Sequence, residues 1–304
     1  MVDAAGVIRR IRGRAITEWH DSWPSPAPKS KDGGFSRERV AFRRFIRGEV
    51  DPERLEAVCE AVAARYGASV ERIDRLDADN WLSTPCVLNE RWFVKVITPQ
   101  NALVHGLLTT GRNLGAFSSG TEGFFERFAD PVEMAEHERD ATRRLRGIGV
   151  NAPEPLEAFA HDEFGVLVFE YLPDFRPLDT LPADEARALA PDVFGVLARM
   201  HAAELGHGDL RAENVLVADG ELYVIDATSV QRDAAADVRS YDLACGLAAL
   251  EPLVGARVAV DAATEHYAVD DLLAAREFVD FINMRPDHDF DAALLRGEIE
   301  KRAA

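Results

Sequence analysis

The residues with the clearest chemical capacity lie in His207-Gly208-Asp209-Leu210-Arg211-Ala212-Glu213-Asn214 and in Leu222-Tyr223-Val224-Ile225-Asp226. An aspartate and an asparagine stand five residues apart, just ahead of the apolar run Val215-Leu216-Val217. A second aspartate ends the next apolar run, and Asp219-Gly220 between the two predicts a tight hairpin turn. The set suits phosphoryl transfer, in which a carboxylate positions an acceptor hydroxyl and hard oxygen ligands hold Mg2+ against the ATP phosphates. Lys95 gives a second signal. It sits in Trp92-Phe93-Val94-Lys95-Val96, where an amine among apolar neighbours is costly unless paired. It is also the only lysine between Lys31 and Lys301, in a chain that otherwise uses arginine. The cysteines, Cys59, Cys86 and Cys245, match no metal-ligand spacing and read as buried small hydrophobes.

Elements must position these groups. Asp51 reads as an N-cap with Pro52 at the first helical position, and the helix stops at Gly67 with Leu55, Val58, Val62 and Ala63 as its buried stripe. The period then changes to that of strands, over 70–76, 84–88 and 91–98, the last two joined by the turn Asn89-Glu90. Residues 99–132, with many Gly, Ser and Thr, read as a mobile insertion. A helix over 133–147 follows Asp130-Pro131, then a continuous apolar strand over 164–172 and a long helix over 183–203. This order predicts an α+β protein with a small N-terminal lobe and a larger, mainly helical C-terminal one.

The HGDL segment with asparagine five residues after the aspartate, followed by a strand ending in Ile225-Asp226, resembles the protein-kinase-like superfamily. Within it, the chain is most similar to RIO-type atypical serine/threonine kinases and to the small kinase subunit of the KEOPS tRNA-modification complex. The resemblance covers residues 70–250. It implies a two-lobed protein-kinase-like fold with a β-rich N-lobe and a minimal helical C-lobe, preceded here by an N-terminal helical extension. ATP and Mg2+ are the implied cofactors. Asp209 would position or deprotonate the acceptor hydroxyl, and Asn214 and Asp226 would hold Mg2+. Lys95 would contact the α/β-phosphates, with Glu138 as its helix partner and Glu133 and Glu136 as rivals for that place. The backbone at Glu170 and Leu172, in the hinge segment Phe169-Glu170-Tyr171-Leu172, would bond the adenine edge, with Phe169 limiting the pocket. His207 would support the loop and Asp242 would brace it from the following helix. Arg211 would meet the γ-phosphate or pair with Glu213.

Two departures from that pattern stand out. The expected phosphate loop, residues 77–84, contains no glycine, so Ser83 and Thr84 would supply hydroxyls and amides in its place. Asp226 is followed by Ala227-Thr228 in place of Phe-Gly, which is closer to RIO-like sequences.

Lengths narrow the class. Only 34 residues separate Leu172 from His207 and 78 follow Asp226, less than antibiotic- or choline-type phosphotransferases use for their substrate helices. A RIO-like protein kinase or ATPase is therefore the expected function, acting on a protein or on a ribosomal or tRNA-modification assembly. The alternatives are a small-molecule phosphotransferase of the aminoglycoside/choline kinase type and a pseudokinase binding module. Thr109, Thr110, Ser118, Ser119 and Thr121 in the insertion are candidate self-phosphorylation sites.

Charge and composition set further bounds. The 304 residues carry 53 acids against 35 bases, a net charge of −18. Only four of the bases are lysines, a pattern that predicts a salt-loving source. A body this acidic excludes nucleic-acid binding across its main surface. Residues 1–50 alone carry +5, a basic, partly disordered arm through which direct nucleic-acid contact is expected, if anywhere. Within it, 21–34 reads as a linker and 35–48 as a short basic amphipathic helix. The expected division after the arm is 51–172, helix plus N-lobe with its 99–132 insertion, and 173–304, C-lobe and helical tail. No apolar run reaches the ~18 residues of a membrane span, and Arg9, Arg10, Arg12 and Arg14 precede no secretory apolar stretch. A cytoplasmic location is the expectation.

Overall fold

The computed structural model describes residues 50–76, 82–103, 128, 130–226, 231–232, 236–285 and 288–304. The basic arm up to residue 49, residues 77–81 of the glycine-free loop, the five hydroxyl residues of the insertion, and Ala227-Thr228 lie outside the described residues. The chain divides into two compact units, the division running between 136 and 137, between 154 and 155, and between 171 and 172.

The first unit is built on one sheet and one helix. Helix α1, Pro52–Arg65, starts where the Asp51 carboxylate accepts the Glu53 amide hydrogen at 2.9 Å. Proline at the first position loses no bond there, because that amide has no partner inside the helix. The stripe Leu55, Val58, Val62 and Ala63 is buried as its spacing predicts, together with Cys59. The helix ends at Tyr66, followed by Gly67 in the left-handed region at φ 66°.

Five strands form an antiparallel sheet in the order β1-β2-β3-β5-β4. They are β1 Ile73–Arg75, β2 Thr84–Leu88, β3 Trp92–Ile97, β4 Pro155–His161 and β5 Phe164–Glu170. Asn89 and Glu90 between β2 and β3 both have positive φ, 55° and 51°, as a two-residue hairpin turn requires. Alternation gives the sheet two buried faces. Cys86, Val94, Val96, Val166 and Val168 pack with the α1 stripe, while Ile97, Leu167 and Phe169 pack with Met134 and Ala135.

Strand β4 was not foreseen in the sequence. It is the sheet's last strand, opens with a proline and carries a register irregularity between Pro155 and Glu157. Those features blunt the alternation that marks a strand.

Helix α2, Pro131–Gly147, starts at Asp130, whose Oδ1 accepts the amide hydrogens of Val132 and Glu133, both at 2.9 Å. Its first six residues belong to the first unit and the rest to the second. The helix start crosses β5 closely: a Cβ on Gly165 would lie 2.0 Å from the Pro131 carbonyl oxygen.

The second unit is mainly helical, with α3 Ala183–Ala202, α4 Ala236–Val254, α5 Ala256–Ala263, α6 Val269–Asn283 and α7 Ala292–Ala303. Short strands complete it. Strands β6 Arg176–Pro177, β8 Val215–Ala218 and β9 Glu221–Val224 form one small sheet, and β7 Leu205–Gly206 pairs with β10 Gln231–Arg232. Asp219 and Gly220 turn β8 into β9 with φ 51° and 80°. The residues past 255 pack into this unit: Leu272, Val279, Ile282, Leu295 and Ile299 share one core with Phe194 and Leu247. No helix among the described residues is long and apolar enough to cross a membrane. All three cysteines are buried free thiols.

Candidate active site

Within the second unit, the chain leaves β7 into the loop His207–Arg211 and re-enters regular structure through a single 3-10 turn, Ala212–Asn214, ahead of β8. Gly208 takes φ 77°, a conformation that glycine adopts without the steric cost of a side chain. The loop backbone is held from α4. The Asp242 carboxylate is fully buried and accepts the amide hydrogens of His207 at 2.6 Å and Gly208 at 2.7 Å. His201 Nε2 lies 3.2 Å from the same carboxylate, and its Nδ1 lies 2.8 Å from the Tyr267 hydroxyl. A proton on Nε2 lets His201 donate to Asp242 and accept from Tyr267. The carboxylate thus meets three donors, which offsets its burial.

His207 is locked in its own way. Its Nδ1 accepts the Asp209 amide hydrogen at 3.2 Å and its Nε2 lies 3.4 Å from the Ile225 carbonyl. Both ring nitrogens face backbone groups.

The loop and the β8–β9 hairpin bring Asp209, Asn214 and Asp226 to one end of the small sheet. Asn214 Nδ2 donates to the Asp209 carbonyl at 3.1 Å, and the Ile225 amide donates to the Asn214 carbonyl at 3.0 Å. Asn214 and Asp226 therefore stand at the two open ends of one hairpin. Asp226 has φ 62°, a left-handed backbone that costs a non-glycine residue.

Positive charge gathers on this group. Arg211 pairs with Glu213, and its guanidinium lies 3.7 Å from Asp209 Oδ2 and 4.0 Å from Asp226 Oδ2. Arg285, which sequence reasoning missed, donates from Nη2 to Asp209 Oδ1 at 2.5 Å. No local pattern marks it: it lies 76 residues from Asp209 in the chain.

No three His, Cys, Asp or Glu side chains cluster as a metal cage among the described residues. The donors at the hairpin ends, one amide and one carboxylate, instead fit an ion that takes its remaining ligands from phosphates and water, as Mg2+ does. A guanidinium standing near both Asp209 and Asp226 marks the spot as one that attracts cations.

In the first unit, Lys95 lies mid-strand in β3, paired with Pro85 and Leu167, and is only 5% exposed. Ser83 and Thr84 are buried too. Thr84 pairs with Val96, so strand alternation turns it to the opposite face from Lys95. The structure does not bring those two side chains to one surface. Burial separates the three glutamates of α2: Glu138 is 2% exposed, while Glu133 and Glu136 are exposed. Glu170 ends β5 with an exposed side chain, and Phe169 is buried against Phe93. Leu172 opens the last stretch of the second unit.

Residues 130–241 match the model of the RIO domain family. The KEOPS complex subunit Bud32 of Pyrococcus abyssi is 28% identical over 114 residues, 36% of this chain and 51% of that protein. The chain thus spans about half the length of the curated relative it matches. Among solved structures, the PK-1 kinase of Cydia pomonella granulovirus is 14% identical with a TM-score of 0.34, covering 60% of this chain and 58% of that one. A variant of the PknI kinase domain of Mycobacterium tuberculosis is 14% identical with a TM-score of 0.41, covering 78% and 95%. At those scores the two structures show no more than a distant likeness. The described fold is α+β, a β-sheet unit and a mainly helical unit, and the stretch 130–241 is similar to the RIO domain.

Proposed function

We propose that this protein is an ATP- and Mg2+-dependent phosphotransferase that acts as a RIO-like serine/threonine kinase or as an ATPase. One observation carries the reading: the braced loop and the hairpin gather Asp209, Asn214 and Asp226, with Asp242 holding the loop backbone by two amides. A binding module has no chemical need for that set. In this scheme Asp209 orients the acceptor hydroxyl and receives its hydrogen bond. Asn214 and Asp226 would hold Mg2+, which when bound neutralises charge on the phosphates. Arg211 stands within reach of both carboxylates and can move to the γ-phosphate. Lys95 takes the α/β-phosphates and Ser83 supplies the phosphate loop, both from the first unit, and the backbone at Glu170 and Leu172 takes adenine.

The relative named as a KEOPS subunit supports a macromolecular setting. We extend that setting to this chain: its turnover serves a ribosomal or tRNA-modification assembly in the cytoplasm. The acidic body fits adaptation to a salt-rich setting.

The test is incubation with labelled ATP in four arms: alone, with a ribosomal fraction, with a tRNA-modification fraction, and with a panel of small alcohols and aminoglycosides. Label on the chain or assembly-dependent hydrolysis fits the proposal. A phosphorylated small molecule replaces it, and no turnover in any arm ends it. Asp226→Ala should lower Mg2+-dependent turnover by about 10²–10³-fold. Asp209→Ala should keep nucleotide binding and lose transfer, and an Asp226→Ala protein as active as wild type would sink the site assignment.

A further inference from the structure

Arg285 lies beyond the end of α6 and outside the stretch 130–241 that matches the RIO domain family. It is 8% exposed, although it carries a permanent charge. Among the described residues its guanidinium donates from Nη2 to Asp209 Oδ1 and from Nη1 to the Tyr241 hydroxyl, both at 2.5 Å. Tyr241 is fully buried and is gripped by the α6 aromatics, edge-on to Phe278 at 5.8 Å and tilted against Phe281 at 6.1 Å. The Arg285 amide closes the helix end by donating to the Ile282 carbonyl at 3.0 Å.

Two neighbours on α4 therefore act on one loop by different routes. Asp242 fixes the backbone of His207 and Gly208, and Tyr241, through Arg285, fixes the carboxylate of Asp209. The planar fork of a guanidinium sets direction as well as distance, which a point charge does not. A carboxylate held at one oxygen has lost rotation about its own bond, so its second oxygen has a defined aim.

We infer that Arg285 is a positioning residue of the transfer reaction: with Tyr241 it sets the orientation of the Asp209 carboxylate toward the acceptor hydroxyl. The C-terminal helices thereby contribute to the chemistry as well as to the core. This inference rests on the phosphotransferase reading above.

The experiment compares Arg285→Ala, Arg285→Lys and the wild-type chain for turnover and for binding of a fluorescent ATP analogue. Turnover is also measured with and without millimolar methylguanidine. Misaligning a reacting group by about 1 Å costs about a hundredfold in rate, so Arg285→Ala should lose about that factor in kcat with nucleotide affinity unchanged. Methylguanidine should restore part of the lost rate in Arg285→Ala and none in wild type. If the alanine variant does not fold, Arg285→Lys serves in its place. Its ammonium keeps the charge but cannot reach both partners, so kcat should drop while KM for ATP stays constant. Wild-type kcat in the variants, or a fall in nucleotide affinity that matches the fall in rate, overturns the positioning role. Absence of turnover in the wild-type chain as well defeats the phosphotransferase reading and this inference with it.

Discussion

Asp242 shows how one side chain can set the shape of a loop. Its carboxylate has no exposure and meets two backbone amides and one imidazole, each within 3.2 Å. Removing it leaves the amides of His207 and Gly208 buried without an acceptor. Leaving a buried donor without an acceptor costs about 1–3 kcal/mol. Asp242→Ala should lose about that much in urea unfolding, with activity failing even in the folded fraction. Asp242→Asn keeps one oxygen acceptor and should lose less. Equal stability of the alanine variant and wild type would show that the loop holds its own shape.

Elements differ in how plainly the sequence announces them. Helix α1, both two-residue turns and the long strands β3 and β5 were legible because their signals are local: a cap, a proline, an Asp-Gly or Asn-Glu pair, an apolar run. The grouping of Asn214 and Asp226 was legible for the same reason, since only the hairpin separates them, and Asp209 stands five residues ahead of Asn214. Strand β4 was not legible, because a proline start and a register irregularity hide its period. Tyr267 and Arg285 were invisible for a different reason. Their contacts with His201 and Asp209 span 66 and 76 residues, and no spacing rule records a meeting of that kind. The crossing of α2 over β5 gives a prediction at this scale. Gly165 leaves room for the Pro131 carbonyl, and a methyl group there would overlap backbone, which has no rotamer to yield. Overpacking costs about 1–3 kcal/mol. Gly165→Ala should lower the stability measured in urea by that amount or more, and an unchanged midpoint would mean that the helix start shifts freely.

Over the whole molecule, net charge governs how stability responds to salt. Residues 51–304 carry −23 once the +5 arm is set apart. Surface pairs such as Arg65–Glu157, Arg176–Glu185 and Arg276–Glu300 offset part of it, each worth about 0–1 kcal/mol. Salt weakens those pairs, but it also screens the larger repulsion among unmatched acids, with a range falling from about 10 Å at 0.1 M to about 3 Å at 1 M. The excess of acid makes the second effect the greater. Thermal unfolding should therefore shift upward as KCl rises from about 0.1 M to 1 M, and a downward shift would show that the ion pairs dominate.

The β8–β9 hairpin has a consequence for how this chain can vary. Its ends are tied, Val215 to Val224 by register and the Asn214 carbonyl to the Ile225 amide at 3.0 Å, and Asp226 stands just outside the tie that Asn214 closes. It works as a gauge block, with a span that matters more than its material. Exchanging Leu222 for another aliphatic residue, or Glu221 for another polar one, leaves the gauge intact. Adding one residue to either arm slips the register, and a slip of one turns every following side chain to the opposite face. Tolerated insertions should therefore fall at the turn, as whole extensions that keep both arms equal, and a one-residue lengthening of β9 alone should remove Asp226 from the site while the core stays folded.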